Sequence, residues 1–124
     1  MSRLNQVALN KLTRQCNHCL QHTPDAECRA CRELLRRALR QANDGAWDAS
    51  VPLLWPTILR WIYAARPDLA PGAAARIAHR ALRRFRAEYP FSEHPPVEHR
   101  EHFPRFADLM GDLQRCVQDE CSLL

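Results

Sequence analysis

Glycine is scarce in this chain, at three of 124 residues, and lysine occurs once against seventeen arginines. Three glycines leave little material for a nucleotide cradle, and the sequence holds no Gly-rich phosphate loop, no HExxH and no GxSxG. These absences argue against an enzyme. No apolar run approaches the ~20 residues that a membrane span needs, and the first fifteen residues lack the apolar centre of a secretory signal. The expected location is therefore the cytoplasm, with no membrane partner. Val, Ile, Thr and Tyr never gather into alternating runs, so a β-sandwich is not expected.

What remains is helical material. Apolar residues make up 46% and charged residues 26%, a globular composition rather than a disordered one. Nine prolines among many Ala, Leu and Arg predict helices separated by proline stops. Residues 1–15 carry Leu4, Val7, Ala8 and Leu12 at helix-like spacing and read either as an amphipathic helix or as a loose tail. From Cys31, the residues Leu34, Leu35, Ala38, Leu39 and Ala42 share one helical face, with a stop expected near Asp44-Gly45. Trp47 to Ala65 reads as a largely buried helix, starting near Pro52 or kinked at Pro56, and ended by Pro67. A further helix runs from about Pro71 to Tyr89, with Ala74, Ile77, Ala78, Ala81, Leu82 and Phe85 as its apolar stripe. Residues 90–104 hold four prolines and the histidines His94, His99 and His102, and read as a long loop. The last helix, Pro104 to about Cys121, puts Phe106, Leu109, Met110, Leu113, Cys116 and Val117 on one side.

Charge is unevenly distributed. Between Arg29 and Arg86 twelve Arg face four acids, a balance of +8, whereas from Glu88 onward eight acids face three Arg, a balance of −5. Arg76, Arg80, Arg83 and Arg84 lie on a face of their helix away from its apolar stripe. Such a stripe suits phosphates or an acidic protein surface, and it also suits ion pairs with Asp108, Asp112 or Glu120 of the last helix.

Four of the six cysteines form two CxxC pairs, Cys16 with Cys19 and Cys28 with Cys31, eight residues apart. Zinc takes four thiolates in a tetrahedron, and two such pairs supply two ligands each. The pattern predicts a closed, structural zinc knuckle at Cys16, Cys19, Cys28 and Cys31, with His18 and His22 as minor alternative ligands. Disulfides are not the expectation in a reducing compartment, and a redox CxxC lacks here the βαβ setting that it needs. Cys116 and Cys121, five apart on the last helix, read as small buried hydrophobes.

The order of these elements carries a resemblance. The runs CRELLRRALRQANDGAWDASVPLLWPTILRWI, ARIAHRALRRFRAEYP and FPRFADLMGDLQRCVQDECS are similar to the second conserved region of bacterial sigma factors of the extracytoplasmic-function type. The matching residues are Trp47, Trp55, Trp61, Ala81, Leu82, Arg84, Phe85, Phe103, Pro104, Phe106, Leu109, Leu113, Cys116 and Val117, over about three quarters of the chain. The resemblance implies an all-α, compact bundle of about four helices that docks on RNA polymerase and reads promoter DNA as a melted single strand. Two features depart from the family: the docking helix is rich in Arg where the family carries acids and amides, and the last helix carries Asp108, Asp112, Asp119 and Glu120. The expectation is thus a zinc knuckle over 1–31 and a sigma-region-two-like domain over 32–124, binding RNA polymerase core, nucleic acid or both. The competing expectation is a zinc-stabilised helical module that binds another protein.

Overall fold

In the computed structural model of the protein, residues 2–22, 28–89 and 103–123 are described, with side chains from residue 9 onward. Five helices account for nearly all of them: α1 (Ser2–His22), α2 (Arg29–Leu39), α3 (Asp44–Ala65), α4 (Pro71–Glu88) and α5 (Phe106–Ser122). No strand occurs among the described residues, and no helix is long and apolar enough to cross a membrane. The loop expected over 90–104, with its three histidines, lies outside the described residues except for Phe103 onward.

The described residues hold five helices in place of the expected four main ones, because the first segment, open in the sequence between helix and tail, is helical, and α1 does not stop before the cysteines. It continues through Cys16 and Cys19 to His22, so the first CxxC sits on a helix rather than in a knuckle turn. Helical spacing places residues three apart on one side, and that brings both sulfurs to the same face without any turn. Leu9 and Cys16 are its buried side chains among those described.

The helix α2 ends at Leu39, five residues before the expected stop. Ala42 follows in the left-handed region at φ 51°, and the Asn43 amide donates to the Arg37 carbonyl at 3.0 Å. Asn43 then caps α3, its Oδ1 accepting from the Ala46 amide at 3.1 Å. Capping by an Asn oxygen satisfies one of the amides that a helix start leaves open, and it sets the start of α3 eight residues before Pro52. Both Pro52 and Pro56 lie inside α3 on its exposed side. The carbonyls that these prolines deprive of a partner belong to Asp48 and Pro52, both exposed, where water can take the missing donor's place. The buried residues of α3 fall at every fourth position: Ala46, Ser50, Leu54, Ile58 and Ile62. Ser50 is the buried polar residue among those described, and its hydroxyl donates to the Ala46 carbonyl at 2.7 Å.

Two compact units divide the chain, one of Met1–Leu53 with Pro104–Ala107 and one of Leu54–Phe103 with Asp108–Leu124. In the first, α1 and α2 pack against each other, and α2 buries Cys31, Leu34, Leu35 and Ala38. The Arg32 guanidinium donates to the Pro104 carbonyl at 3.0 Å, and Glu33 accepts from Arg36 and Arg37 at 2.7 and 2.9 Å. In the second, α4 begins with Pro71 in its first turn and buries the six residues of the expected stripe. From Asp108 onward, Leu109, Leu113, Cys116, Val117 and Cys121 are the buried residues of α5, and Met110 is half-buried; Phe106, in the first unit, is buried too. Ile58, Ile77, Leu82, Phe85, Leu109 and Leu113 are all at most 2% exposed, whereas Trp55 and Trp61 stay half-buried.

Candidate metal centre and basic face

The second CxxC begins where α2 begins. Cys28 has extended backbone just before the helix, and Cys31 sits in the first turn, so both sulfurs lie at the positive end of the α2 dipole. Facing them are the last two turns of α1 with Cys16 and Cys19. The sulfurs of Cys16, Cys28 and Cys31 lie within 4.8 Å of one another, and all three residues are at most 3% exposed. Cys19 is half-buried and hydrogen-bonds with the Cys28 side chain, but its sulfur is not one of the three that lie within 4.8 Å of one another. Burial first, and then that hydrogen bond, push the Cys28 thiol up to about 11.

Four thiolates around zinc at ~2.3 Å stand about 3.8 Å apart, a span that the cluster already approaches. Cys16, Cys28 and Cys31 can hold a metal ion. Against the expectation of four unbonded sulfurs, however, Cys16 and Cys31 are joined as a disulfide, their Cα atoms 4.6 Å apart. The Cys28 thiol donates to the Cys31 sulfur at 3.0 Å. The CxxC spacing brings partners together within each pair, whereas the bond runs between the pairs, because the contact of α1 with α2 sets which sulfurs meet. His18 and His22 do not join the cluster: their rings face each other at 4.3 Å on the exposed side of α1.

On α4 the four arginines divide. Arg84 is bound into a group of acids: it pairs with Glu88 one turn on, and its guanidinium reaches Asp119 at 3.3 Å and Glu120 at 3.5 Å on α5. Glu120 was one expected partner; Asp119 takes the place of the other two, since Asp112 pairs with Arg115 at 3.3 Å. Arg76, Arg80 and Arg83 are exposed, and none forms an ion pair with another described residue. Their spacing of four and then three residues keeps them on one face of the helix. His79, also exposed, lies on that side, and its ring stands 4.8 Å from that of the half-buried Trp55. Periodicity alone did not single out this pair of rings, because it joins two helices.

No family model, curated protein or solved structure matches this chain. The chemistry of the two sites therefore stands on their own geometry: a buried cysteine cluster that, reduced, suits a soft or borderline cation, and an exposed cationic strip with an aromatic pair beside it.

Proposed function

We propose that the protein is a nucleic-acid-binding helical module, acting in transcription as a sigma-factor-like component, whose contacts to phosphates come from Arg76, Arg80 and Arg83. The observation that carries this reading is the exposed face of α4, where three guanidiniums stand without an acidic partner among the described residues. Guanidinium forks match phosphate oxygens, and the Trp55–His79 pair beside them offers rings on which unpaired bases can stack. The transcription setting, with RNA polymerase as the companion, rests on the resemblance carried by Trp47, Trp55, Trp61 and the α4 and α5 residues. In the same reading Cys16, Cys19, Cys28 and Cys31 hold a structural zinc ion that fastens α1 to α2. When bound, zinc supplies folding energy and no reaction chemistry, since four protein ligands leave it no open position.

Binding to single-stranded DNA across a salt series tests the reading. Three phosphate contacts give a log–log slope of about −2, from about −0.7 per phosphate. Arg80→Glu with Arg83→Glu is expected to weaken binding to all sequences alike, because phosphate contacts carry no base information. Arg84→Glu is expected instead to lower the melting temperature by breaking the group with Glu88, Asp119 and Glu120. A protein that binds no nucleic acid at low salt, alone or with polymerase present, removes the transcription reading and leaves a protein-binding module.

A further inference from the structure

The same four sulfurs serve two states that exclude each other. A tetrathiolate metal site uses Cys16, Cys19, Cys28 and Cys31 together, whereas the bond between Cys16 and Cys31 takes away two of the four ligands. A thiol pair alone is a poor zinc site, so closing the bond releases the metal. Both states connect the same two helices, because Cys16 and Cys19 belong to α1 while Cys28 and Cys31 belong to the start of α2. The crosslink is exchanged rather than lost.

We propose that this cluster is a peroxide-responsive zinc-release switch, in which oxidation of Cys16 and Cys31 to the disulfide expels zinc while α1 stays fastened to α2. The proposal rests on the zinc reading above. A thiolate of the pair attacks the O–O bond of hydrogen peroxide; a sulfenic acid forms, and the departing hydroxide takes a proton to become water. The second thiolate attacks that sulfur, forming the S–S bond and expelling a second hydroxide, which is protonated likewise. Two electrons pass from two sulfurs to one peroxide, the zinc ion leaves as Zn²⁺, and Cys19 and Cys28 each take up a proton. Cys19 is the half-buried member of the four and marks the side on which a molecule close to water in size meets the cluster. A bond that forms first at Cys19 and Cys28 moves inward by thiol–disulfide exchange, because the Cys28 sulfur lies 3.0 Å from that of Cys31.

The test uses the unaltered chain, reduced, loaded with zinc and freed of excess metal without oxygen. Hydrogen peroxide is then titrated while a chromophoric chelator records free zinc, and the products are alkylated and mapped. Trypsin leaves Cys16, Cys19 and Cys28 on the peptide 15–29 and Cys31 on 30–32, so the bond links two peptides and the alkylated positions name its partner. The expected result is release of about one zinc per chain, a linked pair carrying alkylated Cys19 and Cys28, and zinc rebinding after dithiothreitol. Cys16→Ser is expected to abolish the linked pair that carries both alkylated Cys19 and alkylated Cys28. Zinc that stays bound under excess peroxide, or release with sulfinic acids or a lasting Cys19–Cys28 bond, overturns the switch and leaves the zinc reading intact. A reduced protein that holds no zinc overturns both.

Discussion

Glu33 accepts hydrogen bonds from two guanidiniums of its own helix, and the one from Arg36, seconded by Arg37, holds its carboxyl down at about 2 against the ordinary 4.5. A carboxyl lowered in the folded state stabilises the fold above its unfolded value and loses that contribution as the pH falls toward the folded one. Stability is therefore expected to decline between about pH 4.5 and about pH 2, and Glu33→Gln to remove that part of the decline in acid unfolding curves. The side chains are 25–30% exposed, so solvent screening keeps the loss near 1 kcal/mol at neutral pH. Phe85 answers to a different term. Its ring is fully buried in the second unit, and Phe85→Ala is expected to cost about 3–5 kcal/mol in denaturant unfolding; a loss below about 1 kcal/mol contradicts that placement. Burial likewise pushes the Cys116 thiol up to about 11 and raises Cys121. Thiolate is the reactive form, so at pH 8 both are expected to resist iodoacetamide until denaturant is added. Labelling of either in the native protein contradicts this.

At the scale of elements, the α2–α3 connection is where strain is visible. Ala42 adopts φ 51°, a conformation in which its Cβ meets the backbone and glycine does not. Ala42→Gly is expected to stabilise the protein by up to about 1 kcal/mol, read as a rise in melting temperature, while the Asn43 cap stays in place. The same connection explains what could be read from the sequence and what could not. The helix α4 was legible in full, from Pro71 in its first turn to the six-residue stripe, because its burial follows the helical period. The start of α3 was hidden by Pro52 and Pro56, which read as breaks although both are tolerated on an exposed side. The length of α1 was hidden too: its cysteines suggested turns, and a polar helix held chiefly by its neighbour shows little stripe of its own. Of the candidate sites, the four cysteines and the α4 arginines were legible as residues. The bond across the two CxxC pairs, and the diversion of Arg84 to Asp119 and Glu120, depend on which helices meet.

Across the whole molecule, sulfur chemistry separates cleanly by unit. The cluster of Cys16, Cys19, Cys28 and Cys31 belongs to the first, and Cys116 and Cys121 to the second. Because the described part of α1 buries little besides Leu9 and Cys16, its order relies on the cluster. On the proposed zinc reading, removing metal with a chelator under reducing conditions is expected to speed amide exchange in α1 and the first turn of α2, with the interior of α4 unchanged. Unchanged exchange in α1 means that apolar contact with α2 suffices to hold it.

The composition of the α4 face sets how it can be controlled. Lysine is the residue that acetylation neutralises, and α4 places no lysine among Arg76, Arg80 and Arg83. Lysine acylation therefore has nothing to act on along this face. If the face binds an anion as proposed, its hold is governed by the ions in the surrounding solution and by whatever competes for the same ground, so occupancy is decided by rivals rather than by lysine modification.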